Sequence, residues 1–172
     1  MKKTLLLFCL LCFFTFASKA QDNTSLPRQY QKMMGKVLEV TTPTSQLLDF
    51  AKSMIGVPYR YASSNPNKGF DCSGFVNYVF HNFGFKVPRS SPEFARAGVP
   101  VKLGDAKVGD VLIFTGSNPK LREIGHVGII SSIEDGEIKF IHSSSGKANG
   151  VTITNLDGYY KSRFMKAVSI IE

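Results

Sequence analysis

The spacing of apolar residues changes once along the chain, from a helical period to a strand period. In Ser45–Gly56, and again in Cys72–Gly84, apolar side chains recur every three to four positions, which predicts two amphipathic helices. Glycine ends both stretches, as is common just after a helix. The segments between them are rich in proline, serine, asparagine and glycine and predict loops, and the loop that begins near Pro88 leads into a short helix.

From residue 110 onward the chain consists of short runs rich in β-branched residues, which are typical of strands. The predicted strands are 110–115, 126–133, 137–144, 151–156 and 164–171. The sequence EDGE at 134–137 predicts a tight hairpin turn between the second and third strands. Helices followed by a run of antiparallel strands favour an α+β fold, in which N-terminal helices pack on an antiparallel sheet of about five strands.

The first twenty residues have the pattern of a secretory signal peptide. Lys2 and Lys3 precede an apolar core at 4–17, and the small residues Ser18 and Ala20 favour cleavage after position 20. The alternative is an N-terminal membrane anchor, for which this apolar core is short. We therefore expect an exported protein.

The predicted organisation is a signal peptide at 1–20, an N-terminal tail or linker at 21–44 and one catalytic domain at 45–172. Without its first twenty residues the chain keeps 152 residues, enough for one domain with a real core. Its formal charge falls from +8 to +5, because the signal peptide holds three lysines and no acids. This mild positive charge suits an anionic polymer such as a cell wall, and no run of basic and aromatic residues indicates a nucleic-acid partner.

Cys72 is the only cysteine outside the predicted signal peptide, so the mature chain offers it no disulfide partner. Asp71 is a good N-cap residue, which makes Cys72 the first residue of the predicted helix. The free N–H groups and the dipole at a helix start favour negative charge, so we expect a lowered thiol pKa and a nucleophilic sulfur. Ser73 and Gly74 are small and leave the backbone open to a substrate. The alternative is an inert buried cysteine.

Two histidines lie in neighbouring predicted strands, His126 in HVGII and His142 in FIHSS. The hairpin turn between these strands allows the two rings to meet, so that His126 takes the thiol proton while His142 orients it. His81 lies off the apolar stripe of its helix, and we expect it at the surface. A zinc site made of Cys72, His126 and His142 is an alternative, although their spacing resembles no compact zinc motif.

Together these segments resemble the NlpC family of papain-like cell-wall cysteine peptidases. The resemblance rests on five segments that occur in the order of the family and extend over 45–172, namely GVPYRYASSNPNKGFDCSGFV, VPRSS, KVGDVLIF, HVGII and FIHSS. It implies a papain-like fold, in which the nucleophile begins a helix that packs on an antiparallel sheet.

The resemblance also implies a role for each site residue. Cys72 matches the nucleophile, His126 the base, and His142 the third, orienting residue. Tyr59 matches a tyrosine that helps to form the oxyanion hole or positions the substrate. Substrate contacts are implied for the two residues that flank the nucleophile, Asp71 and Ser73.

For function, the resemblance implies a peptidase that hydrolyses peptidoglycan stem peptides at the bond between γ-D-glutamate and diaminopimelate or lysine. The alternatives are cleavage of the D-alanyl–diaminopimelate crosslink, a non-catalytic module that binds wall peptides on the same fold, and an amidase or acyl-transfer reaction on the same thiol. No metal or organic cofactor is implied. We expect a monomer in the periplasm or cell envelope of a bacterium.

Two positions depart from the family pattern. Ala62-Ser63 replaces a glycine pair that usually follows the tyrosine segment, and Glu93-Phe94 stands where a glutamine is frequent. Neither change touches the three catalytic positions. We therefore expect a different shape at the cleft entrance, with an effect on specificity rather than on activity.

Overall fold

The computed structural model describes residues 27–29 and 42–171 of the chain. Contacts divide the chain into two units, 1–37 and 38–172, and the second unit holds Cys72 and both strand histidines. The predicted signal peptide and most of the predicted linker lie outside the described residues. None of the helices in the described ranges is long and apolar enough to cross a membrane.

Within residues 42–171 the second unit has three α-helices and eight β-strands. The helices are α1 (Pro43–Lys52), α2 (Cys72–Asn82) and α3 (Gly158–Arg163). The strands are β1 (Ser64–Asn65), β2 (Gly69–Phe70), β3 (Val99–Val101), β4 (Val111–Thr115), β5 (Ile124–Glu134), β6 (Glu137–Ser144), β7 (Gly150–Asn155) and β8 (Phe164–Ser169). Short 3-10 helices cover Ser91–Arg96 and Leu103–Asp105.

Six of these strands form one antiparallel sheet in the order β3-β8-β4-β5-β6-β7. The predicted α+β class is confirmed, and all five predicted strands are present. The sixth strand, β3, pairs with β8 at the edge of the sheet. Its three residues include Pro100, which lacks the N–H that a central strand needs, so the sequence pattern does not reveal it.

One face of the sheet carries α1 and α2. The apolar stripe predicted for α2 is buried against this face through Phe75, Val76, Val79 and Phe80. Burying a side chain of this size stabilises a fold by about 1.5–3 kcal/mol, so the stripe fixes the position of α2. The first residue of the helix, Cys72, is thereby held against the sheet. A smaller apolar cluster around Phe114 occupies the other face.

The first helix begins two residues before the start predicted at Ser45. The Thr42 hydroxyl caps it by accepting a hydrogen bond from the Ser45 N–H at 3.2 Å. Pro43 takes the first helical position, where its missing N–H costs no hydrogen bond. The helix ends at Lys52, before the predicted end at Gly56, because the chain turns and reaches Gly56 with a left-handed φ of +90°.

The hairpin turn predicted at 134–137 is confirmed. Glu134 pairs with Glu137, and the two residues between them, Asp135 and Gly136, have φ values of +51° and +81°. Two left-handed central residues are typical of a type I′ turn, whose twist matches that of the flanking strands. The turn sets β5 beside β6 and so brings the strands of the two histidines together.

The loop before α2 is tied to the start of that helix. β1 and β2 pair with each other, and the Asp71 N–H donates to the Ser63 carbonyl at 2.9 Å. Gly74 lies directly under this carbonyl, since a Cβ at position 74 would come within 2.2 Å of the Ser63 oxygen. Only glycine permits this approach, which holds the loop against the residues that flank Cys72.

Ala62, in the first departure from the family pattern, has a φ of +55°. In this left-handed region a Cβ crowds the following carbonyl, at a cost of roughly 1–2 kcal/mol. The position where the family usually carries glycine is therefore one where the backbone favours glycine. Ala62 also lines a pocket beside Cys72, so this strain lies at the rim of the site.

We predict that Ala62→Gly raises the free energy of unfolding by about 0.5–1 kcal/mol, because the relief of left-handed strain exceeds the extra freedom of the unfolded chain. Chemical denaturation followed by circular dichroism measures the difference. The matched control is Ala97→Gly, at a φ of −83°, where the same change should lower stability by about 0.5–1 kcal/mol. A loss of stability in both variants would contradict strain at Ala62.

Candidate active site

The start of α2 has the cap that the sequence predicts. Asp71 is the N-cap residue, and its Oδ1 accepts a hydrogen bond from the Gly74 N–H at 2.7 Å. Cys72 is the first helical residue and is buried at 8% exposure, where it belongs to the apolar core and also lines the pockets described below. The thiol therefore stands where the helix presents unpaired N–H groups and the positive end of its dipole.

The carboxylate of Asp71 is also held by side-chain contacts that the sequence pattern does not predict. Arg89 binds its carboxylate with both terminal nitrogens, at 2.6 Å to Oδ2 and 3.0 Å to Oδ1. The Ser73 hydroxyl donates to Oδ1 at 3.1 Å. A bidentate ion pair of this kind fixes the orientation of the carboxylate as well as its position. The hydrogen bond to Asp71 also raises the pKa of Arg89.

Within the described ranges, two polar atoms lie near the sulfur of Cys72. The Ser91 hydroxyl oxygen lies 3.4 Å from Sγ, and the carbonyl oxygen of Gly125 lies 3.9 Å from it. Ser91 is buried, and its side chain was not among the residues that the sequence singled out, although it belongs to the VPRSS segment. A hydroxyl at this distance can donate to a thiolate.

The two strand histidines meet, as predicted, but they are not paired in register. Ile129 pairs with Ile141, which sets His142 beside Gly128 rather than beside His126. A Cβ at position 128 would lie 2.6 Å from the Phe140 ring and 3.0 Å from the Cβ of His142, so the glycine leaves room for these two side chains. Nε2 of His126 lies 2.9 Å from Nδ1 of His142, a hydrogen-bond distance, and the ring planes are nearly perpendicular.

A β-bulge next to His126 sets the direction of the His126 side chain. Phe114 pairs with His126 while Thr115 pairs with Ile124, so Gly125 is an extra residue in β5. A Cβ at Gly125 would lie 2.7 Å from the Cα of Gly116, so the bulge closes tightly on the end of β4. Bulges bend a strand locally and redirect the neighbouring side chain. Here the redirected side chain is that of His126.

Thr154 on β7 continues the hydrogen-bonded series beyond the histidines. Its Oγ1 lies 3.0 Å from Nε2 of His142. If this oxygen accepts the proton of Nε2, Nδ1 of His142 is left to accept from Nε2–H of His126. Nδ1 of His126 then carries a free lone pair, which is the state that a base needs. Thr154 has no sequence signal of its own, because threonine is ordinary in a strand.

Burial keeps both histidines neutral. It lowers the pKa of His142 to about 3, with a smaller contribution from the Arg163 guanidinium. The pKa of His126 also falls well below 6.5, through burial first and then through His142 and Arg163. At neutral pH the two rings are therefore uncharged, and His126 is free to take a proton.

Two pockets meet at the thiol. The Asp71 pocket, of about 430 Å³, is lined by Asp71, Ser73, Arg89 and their neighbours. The His126 pocket, of about 380 Å³, is lined by His126, Arg163 and their neighbours. Tyr59, Cys72 and Gly125 line both, so the thiol stands at the junction of one continuous cleft.

Tyr59 faces this junction with its hydroxyl protonated. Burial raises its pKa, and the nearby Cys72 and Asp71 raise it further. A protonated phenol remains a hydrogen-bond donor at neutral pH. His81 is exposed on α2, as predicted. Among the described residues, no group of three or more histidine, cysteine, aspartate or glutamate side chains is placed to hold a metal ion.

A cysteine at a helix start that shares a pocket with a histidine of the adjoining antiparallel sheet is typical of papain-like cysteine peptidase folds. The model of the NlpC/P60 family matches residues 56–169, and the chain belongs to this family. The family that the sequence motifs indicated is thereby confirmed.

Individual relatives agree with this family. Gamma-DL-glutamyl hydrolase of Bacillus subtilis (strain 168) is 30% identical over 170 residues, or 98% of this chain and 35% of that protein. Murein DD-endopeptidase MepS/Murein LD-carboxypeptidase of Escherichia coli (strain K12) is 34% identical over 130 residues, or 74% of this chain and 63% of that protein. The chain thus spans about a third of the first relative and less than two thirds of the second.

A solved structure supports the fold. The crystal structure of an NlpC/P60 family protein from Bacillus cereus ATCC 10987 has a TM-score of 0.65 and 29% identity, and the match covers 75% of this chain and 40% of that one. The described structure brings Tyr59, Cys72 and His126 to one cleft, and it places His142 behind His126, outside the cleft lining. Their individual roles, and the monomeric state, stay predictions.

We predict that His142→Gln makes stability less sensitive to acid. An imidazole with a folded pKa of about 3 and an unfolded pKa near 6.5 binds more protons when unfolded, so the free energy of unfolding falls as pH drops from about 6.5 towards 3. Glutamine does not titrate, so the variant should lose about 1.4 kcal/mol less per pH unit in this window. Denaturant unfolding at pH 7, 6, 5 and 4 gives the slopes.

The matched control for this prediction is His81→Gln, which removes an exposed imidazole from α2 and leaves the buried pair intact. It should keep the pH slope of the unchanged protein. Equal slopes for the unchanged protein and His142→Gln would contradict a buried neutral imidazole at position 142.

Proposed function

We propose that this protein is a cysteine endopeptidase that hydrolyses peptidoglycan stem peptides, at the bond between γ-D-glutamate and diaminopimelate or lysine. The observation that carries the proposal is the cleft in which Cys72, at a helix start, shares a pocket with His126. The ring of His126 is held from behind by His142. This arrangement supplies a nucleophile, a base and an orienting group in series.

In the acylation step, Nδ1 of His126 takes the proton of Cys72, and Sγ attacks the carbonyl carbon of the scissile amide. The charge that appears on the His126 ring is stabilised through Nε2–H, which donates to Nδ1 of His142. His126 then gives its proton to the leaving nitrogen, the C–N bond breaks, and an acyl thioester remains on the sulfur.

The oxyanion that forms during the attack needs donors that are already in place. The N–H groups at the start of α2 and the Tyr59 hydroxyl are the candidates, because both border the thiol. The loss of one oxyanion donor typically lowers kcat by about 100- to 1,000-fold. In the second half of the reaction His126 activates water, which hydrolyses the thioester and frees the sulfur. No step uses a metal ion or an organic cofactor.

The choice of bond is supported by the relative that matches almost the whole chain. The Bacillus subtilis protein is named a gamma-DL-glutamyl hydrolase, and 98% of this chain aligns with it. The name of the Escherichia coli relative, a murein DD-endopeptidase and LD-carboxypeptidase, favours a second candidate, the D-alanyl–diaminopimelate crosslink. The same thiol and histidines would serve either bond.

We also propose that the protein is exported to the periplasm or cell envelope, on the pattern of its first twenty residues. Expression of the full chain in a bacterial host should give a mature protein that begins at Gln21, as measured by intact mass spectrometry of the envelope fraction. A protein that keeps residues 1–20 would indicate the anchor instead.

The central test is digestion of purified muropeptides, read by mass spectrometry. The substrates are uncrosslinked peptides that carry diaminopimelate or lysine, and crosslinked dimers. We expect L-Ala-D-Glu together with a product that begins at the diamino acid. Cys72→Ala should lower the rate by about a thousandfold or more. His81→Ala, a change at an exposed position on the same helix, is the control and should keep the full rate.

The products separate the candidate functions. Conversion of dimers to monomers, without release of L-Ala-D-Glu, would replace the proposed bond with the D-alanyl crosslink. The absence of any cleavage, with Cys72 still reacting rapidly with iodoacetamide, would reject the substrate class. A thiol that is also unreactive would favour a module that binds wall peptides without cutting them.

A further inference from the structure

Arg163, the last residue of α3, is a buried cation at the end of the sheet. It is 6% exposed. Its Nε donates to the carbonyl of Gly116 at 2.8 Å, and its Nη2 donates to the carbonyl of Thr115 at 2.7 Å. The guanidinium also lies over the rings of Tyr159 and Tyr160, at 4.7 and 5.4 Å from their centroids.

This charge has no carboxylate partner among the described residues. The ion pairs of the described ranges join Arg89 to Asp71 and Lys139 to Glu134. Carbonyl dipoles and aromatic faces attract a guanidinium but do not neutralise it. The described residues also supply no hydrogen-bond acceptor for Nη1 of Arg163. A charge that is withdrawn from water normally has an ionic partner, so the missing partner requires an explanation.

The cation lines the same pocket as Cys72 and His126. No aspartate or glutamate lines this His126 pocket, whereas the Asp71 pocket on the other side of the thiol contains the paired Asp71 and Arg89. Among the described residues the two halves of the cleft therefore differ in charge, and only the half beside His126 has a positive charge without a carboxylate partner. Hydroxyl groups of Ser117, Ser144 and Tyr160 add further polar groups there.

The half of the cleft beside His126 is the half that receives the leaving group. His126 gives its proton to the nitrogen of the leaving amine, so the residue that bears this nitrogen must lie on its side of the thiol. The field of Arg163 already reaches this place, since it contributes to the lowered pKa of His126 and of His142.

We propose that Arg163 binds a free carboxylate on the residue that carries the leaving amine. This inference rests on the proposed function and deepens it, because diaminopimelate bears two carboxyl groups and lysine bears one. The guanidinium then selects stem peptides whose diamino acid has free carboxylates over those in which these groups are amidated. Arg163 thereby determines substrate specificity on the leaving-group side of the cleft.

A purely structural role is the competing explanation. The two carbonyls that Arg163 holds belong to Thr115 and Gly116, which flank the bulge at Gly125, so the side chain also braces the strand end beside His126. If Arg163 only supports the strand end, its substitution would slow cleavage of every substrate by the same factor. Loss of a carboxylate site would slow only the substrates that carry the carboxylate. The ratio between two substrates therefore separates the two roles.

The first measurement compares two tripeptides, L-Ala-γ-D-Glu-diaminopimelate with both diaminopimelate carboxyl groups free, and the same peptide with both as carboxamides. We expect the unchanged protein to favour the free acid by about ten- to a hundredfold in kcat/KM, the range of a charge-assisted hydrogen bond. Arg163→Gln should bring the ratio close to one. The matched control, Arg122→Gln, removes the same charge at an exposed site outside the pocket and should keep the ratio.

The second measurement needs no peptide substrate. Iodoacetate and iodoacetamide both alkylate the thiolate, with an S–C bond formed and iodide released, but only iodoacetate carries a carboxylate. In the unchanged protein, the rate with iodoacetate relative to iodoacetamide should exceed that of a free thiol in solution. The relative rate should fall by about tenfold or more in Arg163→Gln and stay constant in Arg122→Gln. Arg163→Lys, which keeps the charge, should be intermediate.

The two measurements distinguish failure of this inference from failure of the proposed function. If the tripeptides are cut, their ratio decides: a ratio near one in the unchanged protein, or one that Arg163→Gln leaves unaltered, overturns the inference and leaves the peptidase intact. If neither tripeptide is cut, the proposed bond is wrong. The rate with iodoacetate relative to iodoacetamide then tests the carboxylate site by itself. The carboxylate site then stands if the ratio depends on Arg163 and falls if it does not. Should Arg163→Gln fail to fold, the unchanged protein and Arg163→Lys give the same decision.

Discussion

The hydrogen bond between His126 and His142 is the constraint on which the rest of the site depends. It joins two buried rings whose residues are not paired in register, next to the bulge at Gly125 and to Gly128, which leaves room for the side chains of Phe140 and His142. At rest both rings need to be neutral, because only a neutral His142 leaves Nδ1 free to accept the hydrogen bond from His126. Burial meets this requirement by lowering both pKa values, and the Thr154 hydroxyl gives the outer nitrogen a partner.

The parts of the fold and site that follow local rules were open to prediction. Asp71 caps a helix because its side chain accepts from the backbone two or three residues ahead, and this one fact sets Cys72 at the first helical position. The EDGE turn likewise fixes β5 beside β6 through its own backbone preferences. The apolar stripe of α2 then decides which face of the helix meets the sheet. These local features locate a thiol and two imidazoles in one region of the domain.

The remaining features depend on contacts between distant segments. Arg89, Ser91 and Thr154 are residue types that most proteins place at the surface or in ordinary strands, and only the folded chain brings them to Asp71, Cys72 and His142. The bulge at Gly125 changes the pairing by one residue without a sequence pattern that predicts the change. Short edge strands such as β3 are hidden for the same reason, since their few residues carry no period.

The site is assembled from segments that are far apart along the chain. Sγ of Cys72 meets the Gly125 carbonyl across 53 residues, and a hairpin of 16 residues separates the two histidines. Contacts of long sequence separation form late and slowly, because a large loop must close before they are gained. An unfolded chain therefore has a cysteine and two histidines but no assembled cleft. The cleft exists only while the sheet is closed, so the thiol and the two imidazoles come together only in the folded protein.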